Sequence, residues 1–246
     1  RGIVALAAAC AAHGKMINAG QVCVSPDYAL VPEQHLRRFV AEVKRASHKQ
    51  YPTIRNNPDV SCVINSKHMS RLTELVTDAR QKGAEIIEIN PAHEIFEPEA
   101  KKFPLTLILR PTAAMRVMQE EVFGSILPVL TYGDLGEAIA QVQSRERAIA
   151  LYLFATKQSE KEQVLTQTVS GGVTVNDAIW HVLNDNMPFG GVGASGMGAY
   201  HGLVGFNTMS QLKPVLEQSR FNAAPLLRAP YGTVFEKVVK VLKKIV

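Results

Sequence analysis

Cysteine is scarce in this chain. Cys10, Cys23 and Cys62 are the only three in 246 residues, too few and too scattered for a disulfide framework or a zinc site. A reducing cytoplasm is the expected compartment, and no bound metal is expected. Charge of one sign is not abundant either. Lys and Arg number 27 against 22 Asp and Glu, a formal net charge of +5. No basic stretch is interleaved with aromatics, so nucleic-acid binding is not expected. No apolar run reaches the length of a membrane helix, so no transmembrane segment is expected. The opening "RGIVALAAACAAHGK" has the leading Arg and apolar body of a signal peptide. It lacks a small-residue cleavage pattern and reads instead as an Ala-rich helix. Arg1 is not an initiator Met, so the sequence is expected to be a piece of a longer chain. No internal repeat or low-complexity segment occurs.

What remains is ordinary globular composition, 46% hydrophobic and 20% charged, with enough length for a sizeable core. Residues 1–17 predict a helix with Gly14 near its end. In "PEQHLRRFVAEVKRASHK", Leu36, Phe39, Val40 and Val43 recur at helical spacing. "SKHMSRLTELVTDARQKG" predicts a helix capped by Ser66 and stopped by Gly83. "QVCVSPDYALV" is β-prone but broken by Pro26, and "DVSCVIN" is a short apolar run. "AEIIEI", "LTLILRP", "AIALYLFAT" and "GGVTVND" predict strands, while "DLGEAIAQVQSR" and "SEKEQVLTQTV" predict helices. Alternating strands and helices indicate an α/β fold with a mainly parallel sheet of βαβ units. The end differs. "TMSQLKPVLEQ" reads as an edge strand interrupted by Pro214. "TVFEKVVKVLKKIV" predicts an amphipathic tail helix with Phe235, Val238, Val239, Leu242 and Ile245 on one face, docked on the body or on a partner subunit, the alternative being a basic helix lying on a membrane surface.

Four places carry possible chemistry. Cys23 lies between Asn18 and Gly20 on one side and Ser25 and Pro26 on the other, where a thiol on a turn would be exposed. Cys10, in an apolar helix, reads as inert, and Cys62, between Val60 and Val63, as a buried small hydrophobe. Glu120 and Glu121 read alone as a solvated pair on a loop. Asn176 would cap the segment after it or hold the cysteine loop. Finally, Gly191-Val192-Gly193-Ala194-Ser195-Gly196 spells G-x-G-x-x-G. A dinucleotide fingerprint must follow a strand, open a helix and precede an acidic residue by about twenty positions. Here "HVLNDNMPF" precedes it and Glu217 is the next acid, so a tight glycine loop is expected rather than a phosphate cradle.

Three stretches in order, "KMINAGQVCVSPDY", "MQEEVFGSILPVLTY" and "GGVTVND" with "MPFGGVGASGMGAYHG", resemble the aldehyde dehydrogenase superfamily. "PDY", "VIN-x-KH-x-x-RL" and "YHG" resemble its class 3 branch, and the tail "KPVLEQSRFNAAPLLRAPYG" resembles the branch acting on coniferyl aldehyde. The resemblance implies that Cys23 is the nucleophile. Its thiolate would attack an aldehyde carbon to give a thiohemiacetal, hydride would pass to NAD or NADP, and a thioester would be hydrolysed to the acid. Glu121 would hold the nicotinamide ribose hydroxyls and Phe123 would pack near the nicotinamide. Ile179, Trp180, Val182, Leu183, Tyr200 and His201 would line a substrate funnel suited to an aromatic aldehyde. Ser125 departs from the family's usual Pro, which would loosen that loop. The family's cofactor-binding domain, water-activating glutamate and oxyanion asparagine all precede the cysteine segment, and so would lie outside this sequence. The implied layout is a catalytic domain over 1–206 and an oligomerisation strand and tail over 207–246, in a homodimer, the piece alone being inactive. A coenzyme A-acylating relative, another Cys-dependent acyl transferase or hydrolase, and a non-enzymatic module on the same scaffold remain alternatives.

Overall fold

The computed structural model describes residues 2–244. Cα packing divides the chain between Met209 and Ser210 into two compact units, three residues beyond the expected boundary.

The first unit is built on a sheet of four strands in the order β1-β4-β3-β2. These are β1 (Ala29–Pro32), β2 (Glu85–Ile89), β3 (Leu105–Leu109) and β4 (Ile126–Tyr132). β4 pairs in parallel with both β1 and β3, and only β2 runs antiparallel. β3 is buried at every residue because helices cover both faces of the sheet, as near-continuous apolar strands require. Its side chains alternate. Leu105, Leu107 and Leu109 join the core formed with α1 (Ile3–Met16) and α2 (Leu36–Gln50), whereas Ile108 joins the core beneath α3 (Ser66–Gln81). α1 buries Ala5, Ala8 and Ala12, small residues that let α2 approach closely. β4 has no counterpart among the expected strands. Pro128 lies in its middle, in register with Ile108, and proline lacks the N–H that normally identifies a central strand.

A second sheet pairs β5 (Ala150–Leu153) in parallel with β6 (Gly172–Val175). Helix α5 (Gln158–Gln167) makes the crossover, and α4 (Leu135–Gln143) packs beside it. Both strands are only half-buried. Helix α6 (Gly202–Thr208) closes the unit.

Several expectations are corrected. Asn65, not Ser66, caps α3, its side chain accepting from the His68 N–H at 3.0 Å; Gly83 ends it as expected, at φ +88°. The helical run Ile3–Gly20 is, by length and composition alone, long and apolar enough to cross a membrane, against expectation. Half of it is buried, and it breaks at Asn18 and Ala19, which take left-handed backbone.

In the second unit, residues 211–219 form no strand among the described residues. A strand needs a partner ladder, and Pro214 removes a donor. Thr208, expected to begin it, instead ends α6. The tail helix is present as α7 (Thr233–Leu242); Ile245, assigned to its apolar face, lies outside the described residues.

Candidate active site

Cys23 stands on a tight turn just beyond the 3-10 stretch Ile17–Gly20 that follows α1, and its side chain is exposed. The turn is closed by the Ser25 N–H donating to the Val22 carbonyl at 2.9 Å. The Ser25 hydroxyl donates to the Gly14 carbonyl at 3.0 Å, pinning the turn to the end of α1. From β5, the Tyr152 hydroxyl donates to the Val24 carbonyl, and burial raises the Tyr152 pKa, keeping the phenol a donor. The Cys23 N–H takes no partner among the described residues.

The chain reaches this turn through three consecutive left-handed residues, Asn18, Ala19 and Gly20. Such a run is costly for residues carrying a Cβ and persists only where the surroundings over-determine it. Gln21 supplies much of that constraint. Its amide donates to the carbonyls of Asn18 at 2.9 Å and Cys62 at 3.0 Å and accepts from the Ile64 N–H at 2.9 Å. At Gly20 a Cβ would stand 2.3 Å from the Gly124 carbonyl oxygen, so the cysteine approach and the Glu121–Phe123 loop are in backbone contact there.

That loop is held from several directions. Asp27 Oδ1 accepts from the Val122 N–H at 2.9 Å. Arg71, on α3, donates to the Glu121 carbonyl at 3.1 Å and also to the Val122 carbonyl. Glu120 is engaged by Arg71 at 3.3 Å and Arg116 at 2.9 Å, so the two glutamates are not an equivalent solvated pair. Glu121 is exposed and makes no ion pair among the described residues within salt-bridge distance. Desolvation raises its pKa, with the Asp27 charge adding to the effect and Lys15 and Arg71 opposing it. Phe123 carries φ +41° and is 38% exposed, an unfavoured backbone for an aromatic residue that turns its ring outward. Ser125 tightens the loop rather than loosening it. It is fully buried, and its hydroxyl donates to the Phe103 carbonyl at 3.0 Å, a bond proline could not make.

On the other side lies an apolar cluster of Val24, Ala178, Ile179 and Phe189, with Val22 and Val182 packed against it. Ile179 is therefore core rather than open wall, with backbone at φ +73° and its Cδ1 near Gly14. Trp180 and Leu183 are 57% and 65% exposed. Tyr200 meets Phe189 edge-on, and His201 stacks on the same ring, with φ +85°. Thus Ile179, Val182, Tyr200 and His201 join one aromatic-apolar region adjoining the cysteine turn, while Trp180 and Leu183 project from it.

The glycine motif is a loop, as expected. It is closed by the Phe189–Tyr200 bridge and holds only a single three-residue 3-10 turn, Gly193–Ser195. A Cβ on Gly191 would stand 2.0 Å from the Ser195 carbonyl oxygen, so close backbone approach accounts for the glycines. Asn176 does not hold the cysteine loop; its side chain accepts from the Ala155 N–H. Cys10 is half-buried against Asp177, its pKa pushed up to about 12 chiefly by burial. Cys62 is exposed, contrary to expectation, because Val60 and Val63 occupy the inward positions around it. Residues missed from the sequence are Lys15, Asp27, Arg71, Tyr152 and His181. Lys15 had a signal, a charge in an otherwise apolar helix.

The chain is 49% identical to a probable coniferyl aldehyde dehydrogenase of Caulobacter vibrioides over 95% of its own length and 49% of that protein. It is 48% identical to a coniferyl aldehyde dehydrogenase of a Pseudomonas species, over 93% of this chain and 48% of that one. It therefore spans about half the length of these curated relatives. The substrate-bound structure of Staphylococcus aureus AldH superposes with a TM-score of 0.85 at 33% identity, over 97% of this chain and 51% of that one. The model of the aldehyde dehydrogenase family matches residues 4–215, and the chain belongs to that family.

Proposed function

We propose that this chain is the cysteine-bearing part of an NAD- or NADP-dependent aldehyde dehydrogenase that oxidises an aromatic, coniferaldehyde-like aldehyde to its acid. One observation carries the reading. Cys23 is an exposed thiol on a turn anchored to both the Glu121–Phe123 loop and the Ile179–Val182 segment.

The Cys23 sulfur forms a bond to the aldehyde carbon, and the carbonyl oxygen becomes an oxyanion. The Cys23 N–H, free of other partners among the described residues, is positioned to donate to that oxygen. NAD(P)+, when bound, supplies the hydride acceptor. The exposed Glu121 carboxylate suits two vicinal ribose hydroxyls, because it can accept from both, and outward-facing Phe123 suits the face of a planar ring. Loss of hydride leaves a thioester on Cys23, which water cleaves to the acid and the free thiol. The aromatic region around Phe189, Tyr200 and His201, with projecting Trp180, supports an aromatic substrate. Residues 211–219, with Leu212, Val215 and Leu216 at least 76% exposed, are the surface we assign to pairing in a homodimer.

The test is NADH or NADPH formation by the full-length protein with coniferaldehyde and with a short aliphatic aldehyde, without coenzyme A. Preference for coniferaldehyde is expected. Preference for the aliphatic aldehyde would remove the aromatic assignment, and turnover only with coenzyme A would move the protein to the acylating branch. The 246-residue chain alone is expected to be inactive.

A further inference from the structure

The reaction as described gives no part to Tyr152, yet its hydroxyl reaches the residue next to the nucleophile. Tyr152 lies on β5, opposite Thr174 of β6, and 128 positions from Val24 in sequence. Its ring is held in place from behind. The His181 ring lies against it, with centroids 5.9 Å apart. His181 is itself only 6% exposed and is tied through Nδ1 to the Thr174 hydroxyl at 2.9 Å, so the strand partner of Tyr152 backs its ring. From this seat the Tyr152 hydroxyl donates to the Val24 carbonyl at 2.5 Å. A phenylalanine would fill the same space without making that bond.

The bond is the first of a series. The Val24 carbonyl and the Ser25 N–H are opposite ends of one planar trans peptide. The Ser25 N–H donates to the Val22 carbonyl at 2.9 Å. The Val22 carbonyl and the Cys23 N–H are in turn opposite ends of the next peptide in the series. Planarity passes orientation from each bond to the following one, and each accepted hydrogen bond polarises the N–H at the other end of its peptide. The series starts at a phenol and ends at the Cys23 N–H, which takes no partner among the described residues. The Ser25 hydroxyl bond to the Gly14 carbonyl anchors the turn but stands outside it.

We propose that Tyr152 is a positioning residue for the nucleophile turn: its hydroxyl anchors and polarises the relay of two peptides that aims the Cys23 N–H at the oxyanion formed when the Cys23 sulfur adds to a carbonyl. This rests on the reading of Cys23 as nucleophile given above. The oxyanion exists only after the carbon–sulfur bond has begun to form, so the relay acts on the rate of addition and not on substrate or cofactor binding. Alkylation of the same thiol by iodoacetamide displaces iodide at a saturated carbon and builds no oxyanion, so it makes no use of the N–H.

The experiment compares Tyr152→Phe with wild type in the full-length protein. It reads kcat and KM for aldehyde oxidation, acylation of Cys23 by p-nitrophenyl acetate, and alkylation of Cys23 by iodoacetamide followed on the Cys23 peptide. In the acylation the sulfur bonds to the acetyl carbon and the oxyanion collapses to a thioester, expelling p-nitrophenolate; no cofactor is needed. Tyr152→Phe is expected to slow acylation and kcat about tenfold, the scale of one buried hydrogen bond. Both KM values and the alkylation rate should stay within about twofold of wild type. Wild-type acylation in the variant, or equal falls in acylation and alkylation, would overturn the proposal. If Tyr152→Phe does not fold, a ring-fluorinated tyrosine at position 152 carries the test. It keeps the shape and donates more strongly, and the burial that raises the Tyr152 pKa keeps its phenol protonated. Acylation should then quicken about twofold, and an unchanged rate overturns the proposal. Failure of the enzyme reading looks different. A wild type that is acylated at Cys23 but oxidises no aldehyde removes the dehydrogenase reading and leaves the Tyr152 comparison readable. Unchanged acylation of the variant in a working dehydrogenase removes only the role of Tyr152, and a wild type not acylated at Cys23 removes both.

Discussion

The loop bearing Glu121 and the segment bearing Trp180 are both tied to the Cys23 turn, yet they are held in opposite ways. The first is a lattice of directional bonds: Asp27 to Val122, Arg71 to two carbonyls, Ser125 to Phe103, and Gly20 against Gly124. The second is joined to the turn by apolar packing of Val24 with Ile179 and Phe189 and by the Tyr152 hydroxyl, while Trp180 and Leu183 stay exposed. Directional bonds set atom positions; apolar contact sets shape and tolerates exchange of side chains. On the proposed reading, a site that holds one invariant cofactor beside variable aldehydes would need the first on the Glu121 side and could use the second on the Trp180 side.

The comparison breaks entirely without the turn residue both sides serve. Cys23→Ala in the full-length protein is expected to lower turnover on the order of a thousandfold or more, with near-normal stability. Thiol labelling checks the assignment independently: iodoacetamide should modify exposed Cys23 and Cys62 and spare Cys10, whose pKa is raised to about 12. The next largest effect falls on the bonded side. Gly20→Ala must place a Cβ 2.3 Å from the Gly124 oxygen at φ +72°, and should cost about 2–4 kcal/mol in urea unfolding. Gly83→Ala, also left-handed at φ +88° but with nothing within 4 Å, should cost only about 1 kcal/mol. Equal costs would mean that the Gly20–Gly124 contact is not under constraint.

Legibility followed the same division. The helices and most strands could be read because their apolar periods are local properties: Leu36, Phe39, Val40 and Val43 announce α2 without any knowledge of what they pack on. β4 could not, because Pro128 violates the pattern and only its two neighbours explain it. A segment around Pro214 that pairs with no strand among the described residues could be mistaken for a strand for the converse reason. Cys23 was legible as a turn residue, and Glu121 and Phe123 only through resemblance. Asp27 and Arg71 were not, since their roles depend on contacts across 95 and 50 positions, which no local pattern encodes. Cys62 misled because two flanking valines say nothing about which way the residue between them points.

On the apolar side, Trp180→Ala should raise the KM for coniferaldehyde about tenfold, the worth of one aromatic contact and its buried area. Folding stability should change by no more than about 0.5 kcal/mol, because the side chain is exposed. The KM for a short aliphatic aldehyde should stay unchanged. A parallel rise for both aldehydes would mean that Trp180 supports the segment rather than touching the substrate.

The smallest effect concerns how the apolar side is anchored. His181 lies beside Trp180 but is buried, its Nδ1 2.9 Å from the Thr174 hydroxyl and its Nε2 without a partner among the described residues. Tyr152 and Phe189 flank the ring, and Gly172 lies so close that a Cβ there would meet the imidazole at 2.7 Å. Desolvation lowers the His181 pKa below 6.5, so the folded chain keeps the ring neutral where the unfolded chain takes up a proton. The stability this contributes is present above pH 6.5 and is lost as pH falls toward the lower folded value. His181→Gln, which does not titrate, should therefore differ most from wild type at neutral pH and converge with it in acid. Urea midpoints for both proteins, measured on either side of pH 6.5, give the difference directly and cancel the titrations they share. A difference that does not shrink in acid would show that His181 is charged in the fold, and that the apolar side, like the Glu121 loop, is held by charge.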